Sequence, residues 1–327
     1  MYFFESPSKD PYFNLALEEY FFENLSPEKE LFMLWQNLDS VVIGKYQNTA
    51  EEIDQAYVDA HKVRVARRLS GGGAVYHDLG NLNYTLIIHQ SDMENFDFQH
   101  FARPVIRVLE GFGVRAEFNG RNDILIDGKK ISGSSQFSSG SRLLHHGCIL
   151  LDSNLGILSS VLKPRSAKFS SKSVKSVSSR VTTINEHATP PIAMADFKRA
   201  LTRELLSGAE VENYCLPEEA LQAVWKLRET KYATWEWNYG YCGDYEISNE
   251  NRFSAGTISV KMNVQEGHIQ DVRLFGDFFG SGDIRELEKR LVGLPLDSHL
   301  GAVLSGLDLS FYINGITAED LASLLRG

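Results

Sequence analysis

Apolar residues recur along this chain at two spacings. Behind Asp10-Pro11, an N-cap followed by a first-turn proline, Phe13, Leu17 and Tyr20 fall at helical intervals. The runs 31–35, 40–46, 63–69 and 82–89 are rich in β-branched and aromatic residues and predict strands. Residues 98–112 predict a helix closed by Gly113, with Pro104 expected to disturb it. Residues 124–126 and 130–132 flank Asp127-Gly128, a strong hairpin signal, and 143–152 predicts a further strand.

The pattern changes near 240–250, where Gly240, Gly243 and a polar run interrupt it. Beyond lie a hairpin, 256–264 and 268–275 about Glu266-Gly267, and a helix over 283–291. Asp283 and Glu286 stand at capping-box spacing there, with Ile284, Leu287 and Leu291 on one face, and 317–325 repeats the device. These signals predict an α/β (α+β) chain in two parts. A large mixed-sheet unit spans 1–243, and a small α+β accessory unit spans 248–327, a size that can fold alone.

Composition narrows the class. The 43% hydrophobic and 23% charged fractions are those of an ordinary globular protein. A net charge of −10 argues against general nucleic-acid binding and leaves room for local basic sites. Cys148, Cys215 and Cys242 are widely spaced, form no metal pattern and fit a reducing cytoplasm. No basic segment followed by an apolar stretch opens the chain, and no window reaches about 18 apolar residues, so neither secretion nor membrane insertion is expected.

Five features carry chemistry. Arg67-Arg68 runs through Leu69-Ser70 into Gly71-Gly72-Gly73, which reads either as a tight turn or as a loop whose amides and guanidinium groups hold an anion. Between Asp152 and Glu186 no acidic residue occurs, whereas Lys163, Arg165, Lys168, Lys172, Lys175 and Arg180 do; this is a solvated surface loop or one that orders over a polyanion. Asp123 enters the hairpin that delivers Lys130, as exposed charges or as a Mg²⁺-and-phosphate pair. His145 and His146 must face opposite sides of a strand, so one is expected in the core or site and the other at the surface. Asn83, polar in an otherwise buried strand, is a satisfied amide or a ligand contact.

In order and interval these pieces resemble the lipoate–protein ligase A family, of the biotin/lipoate ligase fold. The resemblance rests on Arg-Arg-Leu-Ser-Gly-Gly-Gly-Ala-Val-Tyr-His-Asp at 67–78, Gly-Asn-Leu-Asn-Tyr-Thr at 80–85 and Gly-Arg-Asn-Asp at 120–123. It continues through Gly-Lys-Lys-Ile-Ser-Gly-Ser at 128–134, His-His-Gly-Cys-Ile-Leu at 145–150, Lys-Ser-Val-Ser-Ser-Arg-Val-Thr at 175–182 and Trp-Glu-Trp-Asn-Tyr-Gly at 235–240. It thus covers nearly the whole chain.

The resemblance implies a cytoplasmic, monomeric enzyme that activates lipoate with ATP to lipoyl-AMP and passes the acyl group to a lysine of an acceptor protein. That acceptor would be a lipoyl domain of a 2-oxoacid dehydrogenase or a glycine-cleavage H protein or its relative. Carried over by position, Lys130 is the central catalytic lysine, and Asp123 stands beside Mg²⁺. Arg68, Gly72, Gly73, Ala74, Val75, Tyr76 and His77 line the nucleotide and acyl pocket, with Asn83, Asn122 and His146 nearby. Lys175 and Arg180 belong to the loop that folds over the adenylate. Ser173 and Ser178 depart from the family's glycine and arginine in that loop, which implies a stiffer loop with one phosphate donor fewer. The same fold also serves ATP-independent acyltransferases, which depend on a cysteine near the lysine; here Cys148 alone is near, in a buried-looking strand. A catalytically silent lipoate- or nucleotide-binding partner is the third reading.

Overall fold

A computed structural model describes residues 1–26, 28–89, 97–163, 180–240 and 245–327. Its backbone is an eight-stranded mixed sheet, in the order Glu212–Asn213, Tyr2–Glu5, Leu31–Trp35, Asn81–His89, Arg142–Leu150, Lys129–Ser139, Asp123–Ile126 and Glu117–Phe118. Tyr2–Glu5 pairs in parallel with both its neighbours, and the other pairings are antiparallel. Both faces are covered. Helices Phe98–Gly111 and Met194–Leu205 close one around Phe32, Leu34, Tyr84, Leu143 and Ile149, and helix Pro11–Asn24 closes part of the other around Met33, Trp35, Ile87 and Leu144. The near-continuous apolar runs of the central strands follow from this double burial.

Helix Pro11–Asn24 starts where Asp10 accepts from the Tyr12 amide. Helix Phe98–Gly111 runs through Pro104 without ending, because Phe101, Ala102, Val105, Val108 and Leu109 still bury one face. The expected strand 40–46 stops at Ile43, after which the Gln47 side chain accepts from the Gly44 amide and turns the chain. A second, three-stranded sheet joins Arg64–Arg67, Ser40–Ile43 and Val75–His77, and so brings the glycine loop against the main sheet.

Ile247–Phe253, Gly256–Gln265 and His268–Gly276 form a third, antiparallel sheet, packed with helices Ile284–Leu291 and Ala318–Arg326. Its core takes in Tyr46 from the first part of the chain, whose ring stacks on Phe278 with centroids 4.7 Å apart. The Gly72 amide donates to the Phe278 carbonyl at 3.3 Å, so this unit rests directly on the glycine loop.

Candidate active site

Side chains alternate across a strand, so register partners share a face. On the main sheet one such row reads Trp35, Asn83, Cys148, Gly133 and Asp123. Two residues along each strand, the next row is Met33, Thr85, His146 and Ser135, followed by Leu31, Ile87, Leu144 and Phe137. The face therefore grades from charged to apolar. Over it lies a cavity of about 90 Å³, walled by Trp35, Asn83, Gly133 and Cys148 below and by Val42, Gly72, Gly73, Ala74 and Val75 above, with Arg68, His77, Asn122, Lys130 and His146 around it.

The Asp127-Gly128 turn, with φ of 50° and 73°, folds the hairpin tightly, with Lys130 opposite Leu125 and Asp123 opposite Gly133. Lys130 Nζ lies 2.7 Å from Asp123 Oδ1. The side chain can cross the sheet only because position 133 is glycine: a Cβ there would stand 2.4 Å from Nζ. Asn122 Nδ2 donates to the Ser134 carbonyl at 2.8 Å and fixes the loop entering the hairpin. The Lys130 amide donates to the Arg180 carbonyl at 2.8 Å, so the chain leaving the basic stretch is stitched beside the lysine. The Arg180 side chain is exposed. Lys175, Ser173 and Ser178 lie outside the described residues.

The arginine pair departs from the expected free anion donors. Arg67 is buried, and its guanidinium donates to the carbonyls of Gly44, Lys45, Gln47, Trp237 and Asn238 and to Thr49 Oγ1. Arg68 lines the cavity, but it donates to the Val42, Gly71 and Gly73 carbonyls and to Ser70 Oγ. Burial lowers its pKa to about 10, which leaves it charged at neutral pH. Glycine-loop carbonyls that would otherwise be orphaned are what these donors satisfy. Tyr76 is also turned away from the cavity: strand alternation points Val75 and His77 inward and sends Tyr76 into the small sheet's own core, where its hydroxyl donates to Asp39.

Neither histidine of the pair is at the surface. His145 faces the helix layer, stacked on Phe101 at 4.0 Å and held neutral by burial, which lowers its pKa well below the usual value. His146 faces the slot: Nε2 meets Ser70 Oγ at 2.6 Å, and Nδ1 meets Glu18 Oε1 at 3.0 Å. Glu18 also accepts from Thr85 Oγ1, which itself accepts from Trp35 Nε1 at 2.9 Å. This buried line ties the helix, the sheet and the glycine loop together. Sequence reading missed Glu18, whose only signal was a charge on the apolar face of a helix.

Among the described residues no group of three or more His, Cys, Asp or Glu could hold a metal ion. Asp123 offers one carboxylate, a donor set that fits Mg²⁺ arriving with nucleotide phosphates and water, not a resident ion in a protein cage.

A covered mixed sheet with an arginine-anchored glycine loop over a slot that ends at Lys130 defines a small-molecule binding site. The model of the lipoyl protein ligase A/B catalytic domain matches residues 10–206, and that of the bacterial lipoate protein ligase C-terminus matches 243–325. The chain belongs to the lipoate–protein ligase family, enzymes that activate lipoate with ATP and pass it to protein. It is similar to lipoate–protein ligase 1 of Staphylococcus aureus, 41% identical over 97% of each chain, and to lipoate-protein ligase LplJ of Bacillus subtilis, 40% identical over 97% of each. In structure it resembles LipL1 of P. falciparum, solved in complex with lipoate, at a TM-score of 0.77 and 24% identity over 99% of this chain and 97% of that one. A lipoate-protein ligase A bound with ATP aligns at a TM-score of 0.64 and 28% identity, over 72% of this chain and 96% of that one.

Proposed function

We propose that the slot takes lipoate with its carboxylate at the Lys130–Asp123 end and its apolar chain toward Trp35, Val42 and Val75. The observation that carries this is the slot's own lining, which runs from Lys130 and its Asp123 partner at one end of a sheet row to Trp35 at the other, beneath Val42 and Val75. In the first half-reaction a carboxylate attacks the α-phosphate of ATP, releasing pyrophosphate and forming lipoyl-AMP. Two anions must meet, and the Lys130 ammonium offsets their repulsion where water is scarce. Asp123 would hold Mg²⁺ delivered with ATP, which neutralises phosphate charge when bound. Arg68 acts differently from a phosphate clamp: its donors are taken up by the glycine loop, and it contributes a fixed positive charge behind that loop. In the second half-reaction the mixed anhydride is already reactive, so the enzyme aligns an acceptor lysine and excludes water. Lys130 acts as an electrostatic stabiliser, and no covalent enzyme intermediate forms.

The acceptor is a lipoyl domain or a glycine-cleavage H-type protein; a bi-partite archaeal relative, 28% identical over 75% of this chain, has been studied together with its E2 lipoyl domain. We also assign a catalytic unit to 1–243 and an accessory unit to 248–327, a reading supported by the core of the second, whose buried residues all come from after position 247 except Tyr46. A monomer working in the cytoplasm completes the proposal; among the described residues no helix is long and apolar enough to cross a membrane.

Pyrophosphate release with Mg-ATP tests the reading. Release should depend on lipoate and fall about 100- to 1000-fold in Lys130→Ala. Acyl transfer between carrier proteins without ATP, abolished by Cys148→Ala, would instead assign the transferase chemistry, since Cys148 lines the same slot.

A further inference from the structure

One wall of the slot holds a buried donor without a partner. His77 is 3% exposed and lines the cavity, and its Nε2 finds no hydrogen-bond partner among the described residues. Which nitrogen carries the proton follows from its neighbours. Asn14 Nδ2 donates to the Ser8 carbonyl at 3.2 Å and the Gln36 carbonyl at 3.0 Å, groups that can only accept, so that end of Asn14 is its amino group. The same amino group reaches Asn37 Oδ1 at 2.9 Å, while Ser6 Oγ donates to Asn14 Oδ1 at 2.6 Å. Asn37 is thereby oriented with its own amino group toward His77 Nδ1, at 3.1 Å. Asn83 turns its amino group to the same nitrogen at 3.5 Å, its carbonyl oxygen being taken by Asn81. Nδ1 is therefore an acceptor, and the proton sits on Nε2.

We propose that Asn37 is a positioning residue: it locks His77 as a neutral imidazole whose Nε2–H faces the lipoyl-adenylate slot as a fixed donor. Burial agrees, holding the His77 pKa down at about 3, so no imidazolium competes. A buried donor left unpaired costs free energy until a ligand oxygen fills it. The acceptor we assign is an oxygen of the acyl carboxylate or of the adenylate made from it, which rests on the adenylation reading above. Such a histidine cannot serve as a general base toward the ligand, because the nitrogen facing it already carries the proton and the other is occupied. Asn37 was not singled out in the sequence; its signal is only its place after Trp35-Gln36.

Nitrogen-15 spectra of ligand-free protein labelled at histidine test the lock, with His77→Gln identifying the signal. Wild-type His77 should show a bare Nδ1 and a protonated Nε2 between about pH 5 and pH 8. Asn37→Asp offers a carboxylate to Nδ1, so it should move the proton there and raise the KM for lipoate in pyrophosphate release about tenfold or more. A wild-type His77 protonated on Nδ1 overturns the proposal, as does an Asn37→Asp protein with an unchanged His77 signal and unchanged KM. Should Asn37→Asp fail to fold, the wild-type spectrum alone still decides. Because that spectrum needs no substrate, a protein that releases no pyrophosphate would refute the adenylation reading and leave the tautomer to be judged separately.

Discussion

At the scale of single residues, the site depends on what is missing from a side chain as much as on what is present. Gly133→Ala should push Lys130 off Asp123, because the new Cβ would meet the flexible end of the lysine at 2.4 Å. Pyrophosphate release should drop about 100-fold, the cost of misplacing a catalytic group by about an ångström, while the melting temperature barely moves. Arg67→Ala should behave in the opposite way. It strands the carbonyls of Gly44, Lys45 and Gln47 in a buried place, and urea unfolding should show a loss of about 3 kcal/mol or more. Both arginines look alike in sequence, and both turn out to hold backbone rather than wait for a ligand. That distinction could not be read from the chain, since it depends on which carbonyls the fold leaves without partners.

At the scale of elements, most short-range signals translated into structure, although Asp283 accepts from the Arg285 amide and forms no capping box with Glu286. The turns at Asp127-Gly128 and Glu266-Gly267 both adopt positive φ at both positions, as tight hairpins demand. Asp10 and Asp283 cap the helices they precede, and Thr317 forms a capping box with Asp320. One feature of helix Ile284–Leu291 is invisible to such signals. Glu288 is 1% exposed beneath the strand His268–Gly276, accepting from the Leu274 amide at 2.8 Å and from Arg273 at 3.1 Å. Desolvation outweighs those partners and raises its pKa from 4.5 to about 7. The folded state therefore holds a proton that the unfolded state has released between these two values. Stability should fall as pH rises from about 4.5 to about 7, by roughly 1–3 kcal/mol, and level off above. Denaturant titrations across that range should show this slope in the parent protein and lose it in Glu288→Gln.

At the scale of the whole molecule, the C-terminal unit is part of the site's surroundings. Besides the Gly72–Phe278 bond, Phe279 packs on Phe98 at 5.2 Å and Ser138 Oγ meets Ser281 Oγ at 2.9 Å. A Cβ on Gly71 would fall 2.1 Å from the Phe278 carbonyl, backbone against backbone. Gly71→Ala should therefore lift this unit off the loop, seen as faster amide exchange at 72 and 278–282 and a larger radius of gyration in solution scattering. Unchanged exchange in that variant would mean that the contact does not hold the two parts together.

The sequence by itself determined the central strands, the caps at Asp10, Asp283 and Thr317, the hairpin turns and the ordered motifs from 67–85 to 235–240, because each is a matter of neighbours along the chain; the strands Tyr2–Glu5, Val75–His77, Glu117–Phe118, Glu212–Asn213 and Ile247–Phe253 were not legible in it. It also put Lys130 and Asp123 on paired strands of one hairpin, but the turn sets Lys130 opposite Leu125, and the contact with Asp123 needs the space left at Gly133. Tertiary structure decided the rest. Strand alternation turned Tyr76 out of the slot, and a sheet covered on both faces buried His145 as well as His146. Glu18, Asn37 and the donors of Arg67 acquired their roles from partners far away in sequence, whereas Arg68 mainly holds the loop that follows it. Burial removes water as the default partner of a polar group, so its chemistry is set by whichever protein atoms the fold brings into reach.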